Sequence, residues 1–361
     1  MYLFLAGMML LAEIARAEGL FDWLAAHAAG FARGSAVRLF TLIYAVGIAV
    51  TVFLSNDATA VVLTPAVAAV TRTARVERPL PYLLACAMIA NAASFVLPIS
   101  NPANLVIFAT RMPPLFEWLP RFLVPSVASI VLTYAALRWT QRSAIAGPVA
   151  TNIEAPRLKI GGRIAAAGIG AAACLLLVAS ARGWQLGRPT LAAAVASLSL
   201  TCLVSGAAPW RFLRHISWGV LPLVAGLFVL VQSLEQTGLT PALSGLLHRA
   251  SQGSLDATAL SAGLVTGFGS NLINNLPAGL IAGSAVQGAS VPEVVSSAVL
   301  LGIDLGPNLS VTGSLATILW LAALRRDGIE IGTWKFLKVG MIVMPPALLA
   351  SLGWVLLRRS F

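Results

Sequence analysis

The chain has 361 residues, 58% of them hydrophobic and only 10% charged, with a mean hydropathy of +0.87 and a formal net charge of +11. In a soluble chain that charge would suggest nucleic acid. A chain this apolar excludes that class and reads as an all-α polytopic membrane protein whose Lys and Arg occupy short loops and set topology.

The opening run, 1–16, has no basic flank and no small-residue cleavage site, so it reads as a membrane segment and not as a signal peptide. Residues 20–32 (LFDWLAAHAAGFA) predict an amphipathic interfacial helix. Apolar runs at 36–54 and 57–70 meet at Ser55-Asn56-Asp57. Several runs of this chain fall short of the ~20 residues of a straight span, and this pair predicts a re-entrant hairpin with those residues at its tip. A helix N-terminus there offers free N–H groups, and Asn56 can both donate and accept. Asp57 is a carboxylate with no loop at which to reach water, hence a candidate cation ligand or proton carrier. The next run, 80–110, is interrupted by PISNPAN. Pro98 and Pro102 bar a continuous helix and free carbonyls as ligands, with Ser100, Asn101 and Asn104 beside them. A span at 120–139 follows.

The polar stretch 140–161 reads as a linker. Spans at 162–181, 188–205 and 218–234 follow, then a second interfacial helix over 240–250. Runs at 255–273 and 276–290 meet at Asn274-Asn275 and predict a second hairpin. Runs at 293–304 and 310–324 flank a second break, which supplies Asp304, Asn308, Ser310 and Ser314. A final span covers 335–357. Trp23, Trp118, Trp139, Trp184, Trp210, Trp218 and Trp334 flank apolar runs as interfacial anchors. Glu13, Glu18, Asp22, Glu235 and Gln236 are expected at solvated helix ends or surfaces. His27, His215 and His248 are expected at interfaces or loops, which argues against a histidine relay. Cys86, Cys174 and Cys202 lie far apart in apolar runs, so neither a disulfide framework nor a thiolate metal site is expected. No P-loop and no cofactor motif is visible.

A shift of 219 residues lays Ala6-Gly7 on Ala225-Gly226, Gly19-Leu20 on Gly238-Leu239 and Asn56 on Asn275. Beyond the hairpin the register changes by fifteen, laying Asn104 on Asn308. The chain therefore reads as a first inverted repeat, 1–139, a cytoplasmic linker, 140–161, and a second inverted repeat, 162–361. Each repeat contains a re-entrant hairpin and a broken transmembrane helix. Helices 162–181 and 188–205 have no first-half counterpart, so the first repeat is expected to be N-terminally incomplete, through truncation or a misplaced start. Threading this topology leaves Arg111, Arg121, Arg182, Arg188, Arg249, Arg358 and Arg359 on one face and the other 17 of the 24 Lys and Arg on the opposite face, which is then cytoplasmic.

The segments LFLAGMMLLAE with EGLFDWLA, SNDATAVVLTPAV, SNLINNLPAGL and, most specifically, GIDLGPNLSVTGSLATILW with WKFLKVG and MPPALL resemble the arsenical pump membrane protein family of the ion transporter superfamily. The resemblance covers nearly the whole chain. It implies an inner-membrane homodimer, with scaffold and transport domains, that extrudes arsenite or antimonite in exchange for protons or beside a separate ATPase subunit. The implied substrate region is Asn56, Asp57, Ser100, Asn101, Asn104, Asn274, Asn275, Asp304, Asn308 and Ser314. Asp57 and Asp304 are the proton-coupling candidates. Arsenite is an uncharged trihydroxide at neutral pH, which Asn, Ser and backbone groups can recognise without thiols.

Two features depart from that family. Its members usually carry two more N-terminal helices, and Asn91-Ala92 stands where an acidic-polar pair is expected. The Ser-Asn-Pro run leans toward anion-transporting relatives. The alternatives are a Na+-coupled anion or dicarboxylate transporter, which should add Thr at both tips where Ala58 and Pro277 stand, a Na+/H+ antiporter, or a transport-deficient membrane scaffold. An intramembrane enzyme lacks any nucleophile–base or metal-ligand set.

Overall fold

A computed structural model of the chain describes residues 2–108, 112–151 and 156–358, with the side chains of residues 234 and 235 excepted. Arg111, Arg359, the side chain of Glu235 and linker positions 152–155 thus lie outside the described residues. Among those described, the chain is helical, and its one β-bridge, Ser35 to Pro148, is isolated. Five helices are long and apolar enough to cross a membrane: Ala36–Phe53, Leu115–Thr140, Ile160–Ala181, Gly187–Ser205 and Thr333–Arg358.

The first half runs α1 (Tyr2–Ala17), α2 (Leu20–Ala32), α3 (Ala36–Phe53), α4 (Asn56–Ala58), a π-helical turn (Thr59–Leu63), α5 (Thr64–Thr73), α6 (Leu80–Ala92), α7 (Pro102–Phe108) and α8 (Leu115–Thr140). Pro65 lacks the N–H that would close an α-turn onto Val61, and the Thr64 hydroxyl instead donates to the Thr59 carbonyl at 3.1 Å. The second half runs α9 (Ile160–Ala181), α10 (Gly187–Ser205), α11 (Trp210–Leu213), α12 (Val220–Gln236), α13 (Leu239–Gly253), α14 (Leu255–Ile273), α15 (Asn275–Ala289) and α16 (Glu293–Leu305). Two 3-10 turns (Gly306–Asn308 and Val311–Gly313), α17 (Leu315–Arg326) and α18 (Thr333–Arg358) complete it.

The 219-residue shift carries α2 onto α13, α3 onto α14 and Asn56 onto Asn275. Past the hairpins the helix bounds favour a register different from the one expected. A shift of 213 carries α6 onto α16 end for end and Pro102, the first residue of α7, onto Leu315, the first of α17. Asn91 then matches Asp304, and Asn101 matches Ser314. Both members of the second pair cap the helix that follows: Asn101 Oδ1 accepts from the Ala103 N–H and Ser314 Oγ from the Thr317 N–H, each at 3.0 Å.

Close helix approach rests on small residues, as membrane packing requires. On α14, Gly263 and Gly267 face Gly302 and Gly306, which span the end of α16, and a methyl group at Gly302 would lie 2.9 Å from the Gly267 nitrogen. The first half reverses the fit. There Gly47 on α3 receives Ile89 of α6, where the second half sets Thr266 against Gly302. The repeats also differ in what covers their Ala-Gly helix. Gly7 of α1 abuts the backbone of Thr190 and Leu191 in α10, whereas its counterpart Gly226 in α12 has nothing within 4 Å among the described residues.

Different ion pairs mark the two ends of the helix bundle. At the Arg-rich end, Val149 N–H donates to Gly34 O (3.0 Å) and Ala150 N–H to Ala74 O (2.9 Å), so the linker straps both legs of the first hairpin. Arg72 approaches Asp327 at 3.7 Å there. At the other end, Glu293 receives Arg121 at 2.6 Å and Arg358 at 4.0 Å. Arg121 lies near the start of α8 and Arg358 at the end of α18, so these two long helices run antiparallel, as inverted repeats require.

Three sequence expectations are corrected. Glu13 and Glu18 are buried, not solvated: Glu13 pairs with Arg16 (2.8 Å), and Glu18 lies 3.7 Å from Arg211 with its carboxylate against Gly161 at the start of α9. A helix N-terminus and a guanidinium together offset the burial of that charge. Trp118 is fully buried, and its indole N–H donates to the Phe95 carbonyl in the first break at 3.1 Å.

Candidate functional site

A cavity of about 510 Å³ leads from the Arg-rich end into the molecule. Arg16, Arg72, Arg326, Asp327 and His215 surround its mouth. Phe4, Leu5 and Met8 of α1 and Phe21 and Asp22 of α2 wall one side, and the cavity ends on Ser55, Asp57 and Pro102. The hairpin tip therefore faces it. Extended backbone at Ser55 stops α3, and the Ser55 hydroxyl accepts from the Ala58 N–H at 3.2 Å, which starts α4. Asn56 turns inward, 2% exposed, its Oδ1 accepting from the Asp57 N–H at 2.9 Å, while Asp57 lines the cavity.

Behind the tip the two breaks meet. Asn56 N–H donates to the Ser100 carbonyl (2.9 Å), and the Ser100 hydroxyl donates to Val52 O (3.1 Å), which pins the first break to the hairpin. Asn101 Nδ2 donates to Asp304 Oδ1 at 2.7 Å. Asp304 is fully buried, and its Oδ2 has no hydrogen-bond partner among the described residues. Asn308 Oδ1 accepts from Asn91 Nδ2 at 3.0 Å, and Asn308 Nδ2 donates to Met88 O at 3.1 Å. Asn104 donates to the Ser94 and Pro98 carbonyls (2.9 and 3.4 Å), so it satisfies backbone that the proline break leaves open.

The second tip forms its own cluster. Asn274 adopts φ +74° with extended ψ, a conformation costly for any residue but glycine. It is held by its Oδ1 accepting from the Leu276 N–H (3.3 Å) and its Nδ2 donating to Thr312 O (3.1 Å). Ser310 donates to Asn271 Oδ1 (2.7 Å), Thr312 Oγ1 to Asn271 O (2.9 Å), and Asn271 Nδ2 to Gly306 O (3.0 Å). Asn275 is 2% exposed, with its Oδ1 unpartnered among the described residues.

Of the residues singled out from sequence, Ser55 and Asp57 line the cavity, and Asn56, Ser100, Asn101 and Asp304 form the junction behind it. Asn308 joins that junction through Asn91. Ser310 and Asn274 belong to the second tip, Asn275 is buried beside it, Ser314 caps α17, and Asn104 stabilises the break. Sequence reasoning missed Asn91 and Asn271 as members. Asn91 stood out only as a departure, because its partner in the other repeat becomes visible once the helix bounds set the register.

Asp304 Oδ2, Asn91 Oδ1 and Asn275 Oδ1 are buried acceptors without donors among the described residues. Such oxygens suit a ligand that brings O–H groups or positive charge, and repel an anion. Among the described residues no group of three or more His, Cys, Asp or Glu stands placed to hold a metal ion.

Comparison with known proteins agrees with this architecture. The family model described as a citrate transporter, CitMHS, matches residues 1–303. The chain is 31% identical to an arsenical pump membrane protein of Escherichia coli K12, over 95% of this chain and 83% of that one. It is 30% identical to one of Yersinia enterocolitica, over 95% and 82%. Among solved structures, the YdaH transporter of Alcanivorax borkumensis aligns over 99% of this chain and 85% of its own with a TM-score of 0.55. At 16% identity that likeness concerns the fold alone.

Proposed function

The chain belongs to the citrate transporter family, CitMHS, and to the arsenical pump membrane proteins, and from that premise we propose that this multi-pass membrane transporter exports arsenite or antimonite in exchange for protons. The observation that carries the reading is the cavity ending on Ser55 and Asp57, with the Asn101–Asp304 pair immediately behind Pro102. Its mouth lies at the Arg-rich end, which the positive-inside rule assigns to the cytoplasm. In this reading the chain faces inward, ready to load cytoplasmic cargo. Asn, Ser and backbone groups at the tip, with the Asp304 Oδ2 behind it that lacks a donor among the described residues, match an uncharged trihydroxide that offers three O–H groups. Asp57 at the cavity and Asp304 behind it are the carboxylates that carry the exchanged proton.

Supporting measurements are growth of an arsenite-sensitive strain expressing the chain and arsenite uptake into everted vesicles driven by an acidic interior. Vesicles that contain the protein and take up no arsenite or antimonite under that gradient would sink the proposal. A second reading, Na+-coupled transport of citrate or a related anion, draws on the family description and on Arg16, Arg72 and Arg326 at the mouth. Sodium-dependent citrate uptake without metalloid transport would establish it instead.

A further inference from the structure

We propose that the groove between α13 and α15, at the end opposite the loading cavity, is the outward release path, with Thr240, Ser244 and His248 as its hydrogen-bonding track for a small uncharged, hydroxyl-bearing solute. The inference rests on the transport reading above. The groove encloses about 610 Å³ and is lined by these three residues, Pro241, Ser284 and Gly288 among others. Their spacing of four sets them on one face of α13. Thr240 is 8% exposed, and its hydroxyl has no partner among the described residues. Ser244 donates to Ala285 O at 3.0 Å, and His248 Nδ1 meets Ala289 O at 3.2 Å, which leaves Nε2 to the groove.

The internal repeat gives this track its meaning. Shifted by 219, Thr240, Ser244 and His248 fall on Phe21, Ala25 and Ala29, which are buried in the first half. Phe21, Asp22 and Pro65 line the loading cavity, and their counterparts Thr240, Pro241 and Ser284 line the groove. The two hollows thus occupy matching places in opposed repeats. They differ in depth and charge. The loading cavity reaches its hairpin tip, whereas the groove ends at Ser284, nine residues past Asn275 or roughly 13 Å along the helix. Arg16, Arg72 and Arg326 flank the loading mouth, whereas His248 is the sole ionisable residue lining the groove among those described. An uncharged cargo needs no cation there, only donors and acceptors in sequence.

Arsenite uptake into everted vesicles tests the track in the variants Thr240→Val, Ser244→Ala and His248→Phe. Loss of one hydrogen-bonding step is expected to slow turnover about tenfold with KM unchanged, since loading is untouched. Wild-type turnover in all three, or KM rising in step with the loss, would overturn the track. Inactive wild-type vesicles would instead count against the transport reading. A second measurement places the groove without any transport: Ser284→Cys, in a chain whose Cys86, Cys174 and Cys202 are replaced by Ser, should react with a membrane-impermeant maleimide added outside intact spheroplasts. Reaction only in everted vesicles would overturn the assignment.

Discussion

Asn101 and Asp304, 203 residues apart, are joined by a 2.7 Å hydrogen bond that ties the break of one repeat to the break of the other. The carboxylate is fully buried, and this amide is the donor that holds its Oδ1.

The two sides of that bond should respond differently. Asp304→Asn keeps an acceptor for Asn101 and removes the charge, so the protein should remain in the membrane while pH-gradient-driven uptake is lost. Asn101→Ala strands a buried carboxylate and should cost about 3 kcal/mol of stability. Thermal unfolding in detergent beside vesicle uptake separates the two. An Asp304→Asn protein with undiminished pH-driven uptake would remove Asp304 from proton coupling.

Asp57 lines a cavity, so its replacement should leave the fold intact. Asp57→Asn is expected to change stability by less than about 1 kcal/mol while impairing uptake. Ser55→Ala, by contrast, removes the cap of the hairpin's second arm and should cost about 1 kcal/mol. Paired melting and uptake curves test both.

Arginines at the two ends should differ in weight. Arg72 is 61% exposed and 3.7 Å from Asp327, so Arg72→Ala should shift stability by no more than about 1 kcal/mol. Arg121 is 14% exposed and bonds Glu117 at 2.7 Å and Glu293 at 2.6 Å. Its removal should cost about 2 kcal/mol, because two charge-assisted bonds go with it, one inside α8 and one holding α8 to α16. Equal effects of the two substitutions would contradict this ranking.

Glycines offer a packing test. Gly302→Ala places a methyl group against the α14 backbone and should destabilise by about 1–3 kcal/mol. Gly226→Ala meets no atom of the described residues within 4 Å and should be neutral or stabilising by up to about 1 kcal/mol, through helix propensity alone. Melting temperatures of the two variants, measured side by side in one detergent, decide it.

The sequence by itself determined the fold class, the hairpin tips, the proline breaks and the basic face, because each is a local signal. Apolar run length, a proline's missing donor and a lone carboxylate in hydrocarbon are readable one segment at a time. It also exposed the 219-residue shift across the first sixty residues, where side-chain identities survive. Past the hairpins those identities fade, and helix ends alone set the shift of 213 that matches Asn91 with Asp304. Only the tertiary structure decided which polar residues meet. Asn101 and Asp304, or Asn91 and Asn308, come together because helices from opposed repeats pack against one another, a long-range choice that no local pattern encodes. The same packing turned Glu13, Glu18 and Trp118 inward, since burial depends on which neighbour covers a helix end and not on where that end falls in the chain.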